Sequence, residues 1–210
     1  MKKVLHVILI SLFSLTIISC AKKDKEESTT NTDTTTQMGG SRQGVEICLS
    51  TVVTTLAGTG SSGSANGTGT SASFNGPVGI TTDGTNLYVV DYSNHLIRKI
   101  VISTGVVTTL AGTGSSGSVD GTGTSASFNS PHSITRDGTN LYVADYGNHL
   151  IRKIVISTGA VTTLAGTGSS GSANGTGTSA SFYSPTGITT DGTNLYVSEY
   201  VNHLIRKIVL

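Results

Sequence analysis

The chain has 210 residues, a net charge of +1 and 12% charged residues, which favours one domain, at most two, and argues against the basic field of a nucleic-acid-binding protein. It contains 27 glycines and no tryptophan. This composition, also rich in serine and threonine, is typical of many short strands joined by turns and argues against a helical bundle.

The amino terminus has the pattern of an export signal. Met1-Lys2-Lys3 is basic, Val4 to Ile18 is apolar, and a small residue precedes Cys20. Because the apolar run is shorter than a membrane-spanning helix requires, residues 1–19 are predicted to be a signal peptide.

A lipid anchor is predicted at the end of this signal. Ile17-Ile18-Ser19-Cys20 resembles the bacterial lipobox, which implies cleavage before Cys20 and its lipidation; an ordinary signal peptide is the alternative. Residues 20–43 have almost no apolar side chain, so we expect a disordered tether that follows the lipidated cysteine. The predicted location is the bacterial cell envelope, and Ala21 implies, by the same resemblance, the outer membrane or cell surface.

Residues 44–210 are predicted to form one domain of tandem repeats. The text Leu-Ala-Gly-Thr-Gly-Ser-Ser-Gly-Ser begins at Leu56, Leu110 and Leu164, which are 54 residues apart. The three repeats are 53–106, 107–160 and 161–210. A period near this length is typical of β-propeller blades.

Each repeat offers four strand candidates. In the first repeat these are Val78–Thr82, Leu87–Asp91, Leu96–Ile102 and Val106–Ala111. Four short antiparallel strands make one blade, so we predict an all-β propeller array, with a β-solenoid as second choice. The Gly-rich connection 57–76 is expected to be a packed loop, anchored by Ala72 and Phe74.

A family resemblance rests on a triplet that returns in every repeat. The triplets are Asn94-His95-Leu96, Asn148-His149-Leu150 and Asn202-His203-Leu204. Together with the surrounding Leu-Tyr-Val-x-Asp-Tyr-x-Asn-His and the preceding Pro-x-Gly-Ile, they resemble the NHL repeat, which implies a β-propeller. The third repeat departs from the pattern at Glu199, which replaces aspartate.

The charged and aromatic residues of the repeat are predicted to be structural. Asp91 and His95 suggest a metal or acid–base site, but they recur in every repeat, and Asp and Asn side chains commonly hold turns. Arg98 and Lys99 are expected to be strand residues with solvated charges. Tyr92 is expected to pack between blades.

The third repeat lacks a fourth strand, and residues 50–56 resemble it. Propellers close when one blade is built from both ends of the chain, which removes exposed edges. Three blades are too few for a ring, since propellers have about four to eight. We therefore favour a homodimer in which two chains exchange strands and form a six-bladed ring. An open arc with another partner and a shortened, poorly folded array are the alternatives.

Differences between the repeats point to candidate ligand-binding residues. His132 and Arg136 stand where the other repeats have uncharged residues around the first strand, which lines the channel of a propeller. Tyr183 replaces asparagine. We predict these three residues as ligand-binding, with neutral drift after duplication as the alternative.

The predicted function is a non-enzymatic module that binds a protein or small molecule, or serves as a scaffold, at the cell envelope. No catalytic residue, metal site, cofactor or nucleic-acid partner is predicted. The alternatives are a propeller enzyme, lyase- or hydrolase-like with metal in the channel, and a non-functional array. A catalytic metal needs three or four converging ligands, and His132 is the one histidine of the domain outside the repeated triplet.

Overall fold

Three antiparallel sheets follow one another along the chain, and the outer strand of each of the first two comes from the start of the next repeat. The computed structural model describes residues 51–210. Within this range there is no helix long and apolar enough to cross a membrane. The predicted signal peptide 1–19, the lipidation site Cys20 and the tether 20–43 lie outside the described residues.

The first sheet contains five strands. They are β1 (Gly67–Thr68), β2 (Pro77–Thr82), β3 (Asn86–Asp91), β4 (Leu96–Val101) and β5 (Val106–Ala111). Their spatial order is β1-β5-β4-β3-β2, so consecutive long strands pair as hairpins. Turn residues with positive φ end the strands: Gly84 at 86° joins β2 to β3, and Gly105 at 69° joins β4 to β5.

The second sheet repeats this arrangement, and the third is incomplete. The second sheet holds β6 (Gly121–Thr122), β7 (Ser133–Arg136), β8 (Asn140–Asp145), β9 (Leu150–Val155) and β10 (Ala160–Ala165). The third sheet holds β11 (Pro185–Thr190), β12 (Asn194–Glu199) and β13 (Leu204–Val209). The predicted all-β fold of four-stranded antiparallel blades is therefore confirmed.

Among the described residues, the third sheet has no fourth strand next to β13, in agreement with the prediction. Residues 51–56 are exposed and form no strand, and among residues 51–210 no strand pairs with the outer edge of β13. Within the described residues, the outer edge of the third sheet is therefore open.

Apolar residues pack between successive blades. Tyr88, Val90 and Ile97 of the first sheet pack against Ile134 and Leu141 of the second in one buried cluster. An equivalent cluster joins the second sheet to the third. The connections between blades contribute to these clusters, because Phe128 and Phe182 are both buried. The loop 57–76 packs as expected, and it also contains β1, which extends the first sheet by two residues.

Candidate functional site

An aromatic cavity of about 250 Å³ is one of the concave features of the blade array. It is lined by Tyr92, Tyr146, Tyr200, His132 and Thr186. The three tyrosines occupy the same position in successive repeats, whereas His132 is unique to the second. The cavity therefore combines a repeated aromatic frame with one residue that breaks the repeat.

The tyrosines are positioned by the turn that follows the second long strand of each blade. Tyr92 and Tyr146 begin short 3₁₀ turns directly after β3 and β8, and Tyr200 follows β12. His132 lies one residue before β7, where its N–H donates to the carbonyl of Ala144 at 2.9 Å. The regular hairpins of the blades thus carry these side chains to one place.

Neighbouring residues hold the ring of His132 and leave one of its two nitrogen atoms free to accept a hydrogen bond. Its ring centroid lies 6.1 Å from Tyr92, edge to face at 86°, and 6.0 Å from Tyr146. The Nδ1 atom is 3.0 Å from the carbonyl oxygen of Thr186. Because a carbonyl only accepts, Nδ1 carries the proton, and Nε2 of the neutral ring is an acceptor.

A buried carboxylate fixes the turn beneath each tyrosine. Asp91 accepts hydrogen bonds from the N–H of Asn75 at 2.7 Å and the side-chain amide of Asn94 at 2.9 Å. It also forms an ion pair with Arg98 at 2.9 Å, and both side chains are fully buried. Asp145 and Glu199 occupy the same place in the next two repeats. The predicted structural role of this carboxylate agrees with these contacts.

The expectation that Arg98 has a solvated head is wrong. Its guanidinium also donates to the carbonyl of Ser73 and to Oδ1 of Asn66, and it lies 5.2 Å from the centre of the Phe74 ring. The physical reason is that the loop before the blade folds over the strand and surrounds the charge with acceptors. Both terminal nitrogens of the buried Arg98 have acceptors, although its Nε has none, and these bonds tie the loop to the sheet.

The histidine of the repeated triplet joins neighbouring blades. His149 has a left-handed backbone with φ of 58°, and its Nδ1 accepts a hydrogen bond from the N–H of Ser184, in the next blade, at 3.1 Å. His95 makes the same contact with Ser130 at 2.9 Å. Burial lowers the pKa of His149, which favours the neutral ring that this bond requires.

Comparison with known proteins agrees with this geometry. The family model for the NHL repeat matches residues 128–154. NHL repeat-containing protein 2 of Gallus gallus is 38% identical over 98 residues, which are 47% of this chain and 13% of that protein. Residues 128–154, in the second blade, therefore form an NHL repeat.

Two solved structures from Bacteroides share the fold of these blades. An auxiliary nutrient binding protein of Bacteroides ovatus is 29% identical, with a TM-score of 0.54 over 60% of this chain and 35% of that chain. A protein of unknown function from Bacteroides thetaiotaomicron is 27% identical, with a TM-score of 0.55 over 59% and 32%. The chain thus spans about a third of these structures and less of its curated relatives.

The blades do not bring the three predicted ligand-binding residues together. His132 lies in the aromatic cavity. Arg136 ends β7, the strand that begins just after His132, and donates to the carbonyl of Thr82 in the first blade. Tyr183 packs against His149 at 5.3 Å between ring centres. Of the three, His132 alone lines the cavity.

The cavity residues that sequence reasoning missed are the three tyrosines. Tyr92 is expected to pack between blades, and its ring does contact His132 of the next blade, but Tyr92 and its copies also line the cavity. Their fixed spacing in the NHL repeat is the signal that places them at equivalent points of successive blades. Among residues 51–210, no group of three or more His, Cys, Asp or Glu side chains is arranged to hold a metal ion.

Proposed function

We propose that the chain is a non-enzymatic binding module, anchored at the bacterial cell envelope through lipidated Cys20, that takes a small neutral ligand at the aromatic cavity. The observation that supports this proposal most directly is the position of His132, a unique side chain among three repeated tyrosines. The similar Bacteroides ovatus protein is described as nutrient binding, which supports a binding role.

The cavity chemistry favours a polyhydroxylated ring, as in a saccharide. No lining residue carries a formal charge when His132 is neutral, so a charged ligand gains no ion pair there. Tyrosine rings offer flat apolar surfaces for the C–H face of a sugar, and their hydroxyl groups offer polar contacts. The Nε2 atom of His132 can accept a hydrogen bond from a sugar hydroxyl.

The cavity size limits how much of a ligand is held. Its volume of about 250 Å³ lies just below the range of about 300–1,000 Å³ typical of small-molecule pockets. It therefore accommodates one sugar ring, and a longer chain would extend into solvent beside the exposed Tyr200. We expect affinity in the weak range usual for a shallow, neutral site.

Tyrosine fluorescence provides the test, because the chain has seven tyrosines and no tryptophan. We expect glucose, galactose or N-acetylglucosamine, or an oligomer of one of them, to change this fluorescence saturably. His132→Ala should weaken that binding at least tenfold, whereas Arg136→Ala, at the other end of β7, should leave it unchanged. Absence of saturable binding to all of these sugars, checked by calorimetry, would contradict the proposal.

A further inference from the structure

The two ends of the blade array carry the two halves of one strand pair. The sequence of β13, Leu-Ile-Arg-Lys-Ile-Val, is identical to that of β4, and residues 52–57, Val-Val-Thr-Thr-Leu-Ala, are identical to β5. β4 and β5 pair within the first blade, but within the described range neither β13's outer edge nor residues 52–57 have a strand partner. We propose that a second copy of the chain supplies the missing strand, so that two copies close a six-bladed ring.

The register of this pairing follows from the complete blades. In the first blade Ile97 lies opposite Ala111, Arg98 opposite Thr109 and Lys99 opposite Thr108, and the second blade has the same register. The equivalent pairs across the two copies are Ile205 with Ala57, Arg206 with Thr55 and Lys207 with Thr54. An open strand edge with an identical sequence available is a template for strand addition.

The place for this strand is open in the third blade. A hollow of about 370 Å³ runs along β13, lined in part by Arg206 and Asn174. In the second blade Thr163 of the outer strand donates to Asp120 at 3.1 Å. Asn174 is the counterpart of Asp120, and its Oδ1 accepts from Arg206 at 2.9 Å. Thr55 of the second copy is the equivalent second donor.

The flat faces of the end blades are exposed where the inner blades are covered. We name the face toward the preceding blade the leading face and the opposite one the trailing face. The leading-face isoleucines are Ile80, Ile134 and Ile188, and the trailing-face isoleucines are Ile97, Ile151 and Ile205. Ile134 and Ile188 are 5% and 7% exposed, but Ile80 is 60% exposed. Ile97 and Ile151 are fully buried, but Ile205 is 74% exposed.

These two faces fit each other because the chain already contains their interface twice. The trailing face of the first blade packs on the leading face of the second, and the second packs likewise on the third. The exposed trailing face of the third blade has the same kind of surface as the first two, and the leading face of the first blade is its matching partner. Exposed apolar patches of this kind mark interaction surfaces.

The histidine that links neighbouring blades has a third copy, His203, at the exposed trailing end of the array. His149 accepts a hydrogen bond from the N–H of Ser184, whose φ is 52°. Gly76 occupies the position of Ser184 in the first repeat and has a φ of 66°. His203 of one copy therefore meets Gly76 of the other with the backbone conformation that this contact uses.

Two copies are the number that we expect to form a closed ring. Each copy offers one leading and one trailing end, and such head-to-tail contacts form either closed rings or open filaments. The three described blades of each of two copies give six, within the range of about four to eight found in closed propellers. This ring does not depend on the ligand proposed above.

Cysteine cross-linking tests the register directly. In a full chain with Cys20 and Cys48 replaced by alanine, Thr54→Cys and Lys207→Cys on separate copies, mixed and oxidised, should give a covalent dimer. Cross-strand neighbours lie within disulfide reach. When both cysteines are on the same chain, oxidation should likewise give a covalent dimer and no longer oligomers. The matched pair Thr108→Cys with Lys99→Cys should form its disulfide within one chain. No dimer, or a ladder of longer oligomers, would overturn the two-copy ring.

A pair of exposed lysine variants tests the apolar faces. Ile205→Lys should raise the dimer dissociation constant at least tenfold in sedimentation equilibrium of the full chain, because a charge would be buried in the joint. Val119→Lys, on a loop of the second repeat and also exposed, should leave it unchanged. Circular dichroism checks that both variants fold. Equal constants for Ile205→Lys and the parent chain would overturn the proposal.

Discussion

At the residue scale, the aspartate of each Asp-Gly turn couples folding to pH. Oδ1 of Asp83 accepts from the N–H groups of Thr85 at 2.8 Å and Asn86 at 2.6 Å, and Oδ2 accepts from the hydroxyl of Tyr88 at 2.8 Å. The side-chain hydrogen bond from Asn86, aided by these others, holds the pKa of Asp83 well below its usual range. Burial, together with the Asp83 contact, raises the pKa of Tyr88 to about 12.

We predict that stability falls as the pH drops below about 4. An aspartate with a lowered pKa in the folded chain takes up its proton first in the unfolded chain, near pH 4, so its stabilisation is present above that pH and is lost on acidification. The pKa values of Asp137 and Asp191 are lowered as well. Thermal melts followed by circular dichroism at pH 7, 4 and 3 measure this loss.

The control replaces the three turn aspartates with asparagine. The triple variant keeps an acceptor oxygen but cannot titrate, so its melting temperature should be lower at pH 7 and should change less between pH 7 and 3. If the melting temperatures of parent and variant fell in parallel, these carboxylates would not be the source of the pH dependence.

Arg98 marks the limit of sequence reasoning at this scale. Its place in Leu-Ile-Arg-Lys-Ile predicts a strand residue, which is confirmed, but nothing local shows that a loop 32 residues earlier covers its charge. One hint is available, since every repeat has an acceptor side chain there, Asn66, Asp120 or Asn174. Long-range burial of this kind depends on the path of the loop, which spacing alone does not give.

At the scale of the element, identical strands differ in what covers them. Ile134 and Ile80 occupy the same strand position, but Ile134 is buried between blades and Ile80 is exposed. We predict that Ile134→Ala lowers the free energy of unfolding by about 2–5 kcal/mol, because it leaves a cavity. Ile80→Ala should cost less than about 1 kcal/mol within an isolated chain.

Urea denaturation at concentrations low enough to disfavour association measures both values. The pair is well matched, because side chain, strand and repeat position are the same and only the neighbouring blade differs. Equal losses for the two variants would show that Ile80 is covered in the isolated chain, which would contradict the open end of the array.

The strands themselves were largely predictable, and the site only in part. Alternating β-favouring runs bounded by Gly and Asp turns predicted the four strands of the first repeat to within one residue of each boundary. The departure of His132 from the repeat singled out a residue that lines the aromatic cavity, and its role in ligand binding stays a prediction. Arg136 lies four residues further along an extended chain, about 13 Å away at about 3.3 Å per residue, so one small ligand cannot reach both.

At the scale of the whole molecule, the proposed ring makes thermal stability depend on concentration. Only folded chains form the ring, so mass action stabilises them as concentration rises. A hundredfold increase in protein concentration stabilises the folded state by about 2.7 kcal/mol for each dimer, or about 1.4 kcal/mol for each chain. For a domain of this size, that shift corresponds to a rise of about 3–5 °C in melting temperature.

Scanning calorimetry of the full chain over that concentration range tests the expectation, with Ile205→Lys as the matched control. The melting temperature of Ile205→Lys should not change with concentration, and it should lie near the value that the parent chain approaches on dilution. The reason is that this variant keeps the three blades but loses the interface between copies. A parent chain whose melting temperature is equally constant would mean that its blades are stable as an open array. The exposed edge of β13 and the exposed Ile80 and Ile205 would then have to be tolerated by the isolated chain, against the usual hazard of open strand edges.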